Sequence, residues 1–173
     1  MEEKNKQWLV VRTRANQELT TAEKFKALSI EVFVPCKEEI RQRRDRKVVV
    51  TVPLVKNMVF IYVERNAFLT LMKDVGCQVS LVMDCATKYS LVIPSFQMEA
   101  FKMACKETSF AVNNTVPFRK GDLVTVVDGP LTGYKGEYFA TKKSGVLLIR
   151  LFPECVASIE IDKSAVQKTK KTS

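Results

Sequence analysis

The sequence predicts an α+β protein in two parts: an α/β sandwich, with one sheet and helices packed on it, followed by a small β-barrel. Three observations predict it. Of six glycines only Gly76 precedes residue 120, whereas Gly121, Gly129, Gly133, Gly136 and Gly145 crowd the C-terminal part, and glycine supplies the positive φ of tight turns. Helix-period and strand-period runs with few sharp turns interleave through the first ~110 residues. Between the halves, Asn113, Asn114, Thr115 and Pro117 give the segment 109–117 the composition of a linker. The expected boundaries are therefore 1–108 for the first domain, 109–117 for the linker, 118–166 for the barrel and 167–173 for a basic, disordered tail.

In the first half, the run Trp8 to Arg12 suits a buried central strand. Asn16 is placed to cap a helix from Gln17 to Leu28. Leu19, Ala22, Phe25 and Leu28 recur there at three-residue steps as the buried face, with Glu18, Glu23, Lys24 and Lys26 towards water. Glu31 to Pro35 reads as a second strand. Residues 37–47 carry nine charges in eleven positions and run into the β-branched stretch Val48 to Val52, which predicts two extended arms around a charged tip. Leu54 to Val63 is a further strand, and Phe68, Leu71 and Met72 mark a short helix. Val79 to Met83 is strand-like. A last helix starts with Ser95 as its cap and buries Met98, Phe101 and Cys105.

The second half opens on Asp122 to Val127 and turns at Asp128, Gly129 and Pro130, a strong turn signal. Val146 to Phe152 is apolar apart from Arg150. Cys155, Ala157, Ile159 and Ile161 alternate with Val156, Ser158, Glu160 and Asp162, the period of a half-buried strand. Four or five short strands in ~50 residues close naturally into a barrel, which removes exposed edges.

Composition narrows the function classes. The 173 residues include 28 Lys and Arg against 19 Asp and Glu, a formal charge of +9, and 46% are hydrophobic. That supports a packed core and a partner of negative charge. The absence of histidine removes His-dependent triads, Cys–His dyads and zinc sites with His ligands. Cys36, Cys77, Cys85, Cys105 and Cys155 never fall in a Cys-x-x-Cys spacing and read as small reduced hydrophobes. No run approaches the ~18–20 apolar residues of a membrane span, and the first residues offer no signal-peptide core. A cytoplasmic binding protein without cofactor or metal is expected, not an enzyme.

Taken in order, these residues are familiar: Trp8 in a first strand, Glu18 opening a helix, Phe33 to Pro35 ending a strand, a charged hairpin, then Pro53 to Phe60. After the linker come Gly121, Asp122, Val124, Val126, Asp128, Gly129, Pro130, Leu131, Gly133 and Gly136 at fixed offsets. The whole resembles the NusG family of transcription elongation factors, an NGN domain joined to a KOW domain, from Gln7 to Val166. Within the family, the segment Pro53 to Met58 is similar to that of specialised paralogues, the RfaH and Bacteroides UpxY (capsular-polysaccharide operon) antiterminators. The resemblance implies an NGN-type sandwich, mostly antiparallel with about three helices, and a five-stranded SH3-like KOW barrel. It also implies binding work with no covalent step. NGN domains of the family seat an apolar depression on the RNA polymerase clamp helices and oppose pausing and termination. Specialised members also read non-template DNA or nascent leader RNA. The KOW domain recruits a further partner such as a ribosomal protein or Rho.

Carried over residue by residue, the resemblance makes Arg12, Val55, Met58, Phe60 and Thr70 the polymerase-binding candidates. Val55 and Met58 stand where aromatic residues are frequent in the family, and Lys56 where a neutral residue or proline is usual; methionine is soft enough to conform to a helix surface. Phe60 reads equally as core. Leu69 flanks Thr70, the one residue there with the polar chemistry of a second, gate-loop contact. For nucleic acid the candidates are Arg14, Arg41, Arg43, Arg44, Arg46 and Lys47. Guanidinium forks suit phosphate oxygens and release counterions. The plain alternative is a solvated hairpin tip, diluted by Glu38, Glu39 and Asp45. Arginine nevertheless supplies every cation from Arg41 to Arg46, where lysine would serve solubility equally well.

In the barrel, Gly129, Gly133 and Gly136 read as backbone geometry and not as a phosphate cradle, while Phe118, Leu131, Tyr134 and Phe139 are expected mostly in its core. A switch of this half into helices is not expected, since each interior Gly costs ~1 and Pro ~3 kcal/mol in a helix. Two other readings compete: a KOW-containing RNA-binding protein of ribosomal or RNA-processing type, which leaves the first half unexplained, and a thiol enzyme, for which no cysteine has a local motif.

Overall fold

The computed structural model describes residues 6–76, 78–106, 111–113, 122–140, 145–152 and 155–169. The chain divides into two units, Met1–Ser95 and Phe96–Ser173.

The elements of the first unit are β1 (Lys6–Arg12), α1 (Glu18–Ala27), β2 (Glu31–Phe33), β3 (Cys36–Arg43), β4 (Arg46–Pro53), β5 (Met58–Glu64), α2 (Arg65–Val75), β6 (Ser80–Leu81) and β7 (Val92–Ile93). Its main sheet runs β2-β5-β1-β6, with β7 also paired to β1, and every pairing is antiparallel. The central pair matches Lys6 to Glu64 through Arg12 to Met58. Side chains alternate along a strand, so the two apolar runs sort into two faces. Leu9, Val11, Val59, Ile61 and Val63 pack with Ala22 and Phe25 of α1 and Phe68 of α2 in one core. On the opposite face Trp8 meets Tyr62 at 5.3 Å between ring centroids, and Phe60 meets Phe33 at 6.4 Å. Burial on both faces is why these strands read as continuous apolar runs.

Helix α1 departs from expectation. Asn16 does not cap it: Asn16 takes a left-handed φ of 61°, and Gln17 holds the cap position without a side-chain bond. The buried stripe is Glu18, Thr21, Ala22 and Phe25, while Leu19 and Leu28 are exposed. The spacing i, i+3, i+4, i+7 follows the 3.6-residue turn, and three-residue steps drift off it. A second correction falls on Leu54 to Asn57, which is a turn and not the start of a strand.

In the second unit the elements are α3 (Ser95–Ala104), β8 (Ala111–Asn113), β9 (Asp122–Val126), β10 (Lys135–Ala140), β11 (Gly145–Phe152), β12 (Cys155–Ile161) and β13 (Val166–Lys168), with a 3-10 turn at Lys163–Ala165. Ser95 is the first helical residue, and Met98, Phe101 and Ala104 form the buried face. The strands make one antiparallel sheet ordered β13-β9-β10-β11-β12-β8. Among the described residues it has six strands where five were expected, and no ladder there joins β13 to β8, so the described sheet is not closed. β8 comes from the segment read as a linker and pairs Ala111–Asn113 with Ser158–Val156. β13 carries the chain through Lys168, whose Nζ lies 3.0 Å from Asp122. At Gly145 a Cβ would overlap the ring of Tyr138, so any larger residue there would have to displace that ring. The described residues therefore make a mixed α+β fold with three α-helices and antiparallel sheets.

Candidate functional site

β3 and β4 form a two-stranded sheet of their own, in register from Cys36 opposite Pro53 to Arg43 opposite Arg46. One bond fixes the base of this ribbon: the Leu54 N–H donates to the Pro35 carbonyl at 2.8 Å. Arg44 and Asp45 form the tip turn. Because paired residues share a face, Lys37, Glu39, Arg41, Arg43 and Arg46 stand on one side with Val48, Val50 and Val52. Glu38, Ile40, Gln42, Lys47, Val49 and Thr51 stand on the other. Glu39 bridges Lys37 at 2.8 Å and Arg41 at 3.4 Å. The hydrogen bond from Lys37, aided by Arg41, holds the Glu39 carboxyl below its ordinary range. The ribbon's outermost pair sets two guanidiniums opposite each other, and like charges at directly opposed positions are destabilising.

The second group lies where β1 and β5 end together. Arg12 and Met58 are register partners. Beyond them, Thr13 N–H donates to the Asn57 carbonyl at 2.9 Å, and Asn57 N–H donates to Glu18 Oε1 at 2.7 Å. Glu18 is 4% exposed. Asn57 adopts a φ of 61°, a conformation asparagine tolerates better than most residues. Thr13 and Thr21 share a buried hydroxyl–hydroxyl bond of 3.1 Å. A buried carboxylate thus pins the turn that carries Val55. Val55 and Phe60 are buried, at 3% and 0%; Met58 is half-buried and Arg12 exposed. Of the polymerase candidates, then, the structure sets Arg12 and Met58 side by side near the surface and Val55 and Phe60 beneath it. Thr70 is exposed on α2, and the Leu69 side chain lies outside the described residues.

Arg14 donates through Nη2 to Gln78 Oε1. Together with Arg12, Met72, Gln78 and Ser80 it lines an open hollow. No ribbon residue lines it, so the nucleic-acid candidates fall into two groups: Arg14 here, and Arg41, Arg43, Arg44, Arg46 and Lys47, all exposed, on the ribbon.

Glu18, expected towards water, is instead buried beside the candidate residues. The stripe Glu18, Thr21, Ala22, Phe25 was the signal that could have found it. Cys155 and Cys36 point away from thiol chemistry. Burial pushes the Cys155 thiol up to about 12. Burial and the Glu18 charge also raise Cys36, whereas a nucleophilic thiol needs its pKa lowered. In the second unit Leu131 is buried and Tyr134 and Phe139 half-buried; Phe118 lies outside the described residues. No described helix is long and apolar enough to cross a membrane.

A family model described as transcription termination factor NusG matches residues 6–102. NusG of Thermotoga maritima is similar in structure at a TM-score of 0.52 and 17% identity, covering 96% of this chain and 98% of that one. A likeness at that identity speaks to the fold. The MjSpt4:Spt5 complex in conformation B is 17% identical, covers 95% of this chain and 97% of that chain, and has a TM-score of 0.32. No curated protein matches the chain.

Proposed function

The chain belongs to the NusG family, and from that premise we propose that it is a specialised antiterminator of the RfaH or UpxY type, serving a long operon such as one for capsular polysaccharide synthesis. As a NusG-family protein it is a transcription factor acting in elongation, not an enzyme. Its partner is RNA polymerase. Arg12 and Met58 meet the clamp helices, with Val55 and Phe60 as a stiff layer beneath and Thr70 as a second contact. Arg14 and the cationic ribbon of β3 and β4 contact non-template DNA or nascent leader RNA. The C-terminal sheet takes a further partner, a ribosomal protein or Rho. The work is done by staying attached: a bound factor that holds the clamp closed lengthens no covalent pathway and only makes the paused state less favourable.

The observation that carries this reading is the pairing of Arg43 with Arg46 at the end of a ribbon that buries little of its own surface. Like charges directly opposed repel, and that repulsion is relieved when an anion such as a phosphate sits between the guanidinium groups. The test uses halted elongation complexes. Added protein should comigrate with them at low ionic strength and shorten pause lifetimes. Met58→Asp should weaken both effects. A protein that leaves pausing unchanged and fails to comigrate sinks the proposal.

A further inference from the structure

We propose that the ribbon binds nucleic acid through one face only, that of Lys37, Arg41, Arg43 and Arg46, and that Glu39 on that face competes with the phosphate. This inference rests on the nucleic-acid part of the function proposed above and asks which side of the ribbon does the binding and what limits it.

The register divides the charges unequally. One face carries four cations and one anion, the other Lys47 and Glu38, and the tip residues Arg44 and Asp45 cancel. Counterion release scales with the number of phosphates neutralised, so the first face draws a polyanion and the second does not. Apolar exposure follows the same division. Val48, Val50 and Val52 oppose Arg41, Glu39 and Lys37 and are half-buried, as expected where long aliphatic stems lie across their neighbours. On the other face Ile40 and Val49, opposed to each other, are 70% and 59% exposed. A stem held against a valine keeps its charged head in a narrower set of positions, which lowers the entropy lost when a phosphate arrives.

Glu39 sits in the middle of the cationic row. Its two oxygens engage Lys37 and Arg41 separately, at 2.8 and 3.4 Å. A carboxylate placed so occupies the donors that a phosphate would use and repels the phosphate as well. Binding therefore requires Lys37 and Arg41 to exchange one anion for another, whereas Arg43 and Arg46 have no carboxylate on their face within the ribbon's register beyond Glu39. Glu39 sets an upper limit on non-specific affinity, which suits a factor that must be recruited at one place and not along all DNA.

Fluorescence anisotropy of the full chain with labelled single-stranded DNA and RNA of about 20 nucleotides, titrated from 50 to 200 mM salt, tests this. Arg41→Gln and Arg43→Gln should each flatten the log–log salt slope by about 0.7, the single-strand value for one lost phosphate contact, and weaken binding about threefold at the low-salt end. Lys47→Gln removes the same charge from the other face and should leave affinity within about twofold of the unmodified chain. Glu39→Gln should bind more tightly and steepen the slope by about 0.7 or more. If Lys47→Gln costs as much as Arg41→Gln, the one-sided arrangement is wrong while nucleic-acid binding stands. If Glu39→Gln is neutral or weaker, the competition is wrong. If the unmodified chain binds neither probe, the nucleic-acid part of the proposed function falls, and this inference with it.

Discussion

The first unit contains two antiparallel pairs of nearly equal length that use extended chain for opposite ends. β1 and β5 pair over seven residues and enclose Leu9, Val10, Val11, Val59, Phe60 and Ile61 at 0% exposure. β3 and β4 pair over eight, yet none of their residues is buried. Backbone bonding is the same in both, so side chains decide. Apolar residues on both faces of β1 and β5 are withdrawn from water at roughly 25 cal/mol per Å². Burying the ribbon's guanidiniums would cost several kcal/mol per ion, and the ribbon stays outside. A two-stranded ribbon is marginal by itself and borrows its order from the sheet through Pro35 and Leu54. Burial thus belongs to one pair and exposed charge to the other.

Substitutions should separate the two roles, beginning with the core. Ile61→Ala should cost about 2–5 kcal/mol in urea unfolding; a loss under 1 would mean that the sheet is not the stabilising element.

The C-terminal sheet extends the comparison through pH. Burial raises both Cys155 and Tyr134 to about 12, so their protonated forms are favoured in the folded state. Their stabilisation is complete below the unfolded values of about 9 and 10, and is lost as pH rises towards 12. At 1.36 kcal/mol per pKa unit, Cys155 alone should remove about 2 kcal/mol by pH ~10.5. Cys155→Ala should flatten that alkaline limb of the unfolding midpoint against pH, and an unchanged limb would contradict the assignment.

At the junction of ribbon and sheet, Glu18→Ala removes the buried carboxylate that accepts the N–H of the exposed Asn57 and, as a hydrogen bond to a charged group is lost, should cost about 1–3 kcal/mol. Glu18→Gln keeps an acceptor and should cost less. Amide exchange at Asn57 is the local readout, and equal protection in all three chains would remove Glu18 from its anchoring role. On the ribbon itself, Ile40→Ser with Val49→Ser should change stability by no more than about 0.5 kcal/mol. A larger loss would show that the ribbon, too, contributes core.

How far all this could be read from the residues follows the same division. The apolar run Trp8 to Arg12 and the charged run 37–47 each have one physical solution, inside or outside, and both were legible. So were Met98 and Phe101 on α3. What escaped was set by partners distant in sequence. Glu18 is buried where Asn57, 39 residues away, donates its N–H to the carboxylate. Val55 left the strand for a turn because Asn57 reverses the chain with a positive φ. β8 joined the C-terminal sheet because Val156 to Ser158 present an open edge, which local composition does not reveal. Arg12 and Met58 were each foreseeable as candidates, but their adjacency depends on the register of β1 against β5.

Salt titration of the complex with a transcribing polymerase puts the account at most risk. The unmodified chain should associate at low ionic strength with an affinity that falls steeply as salt rises, and Arg43→Glu with Arg44→Glu should weaken binding and flatten that dependence without lowering stability. No association at any ionic strength, or an identical salt dependence for the two chains, would contradict it.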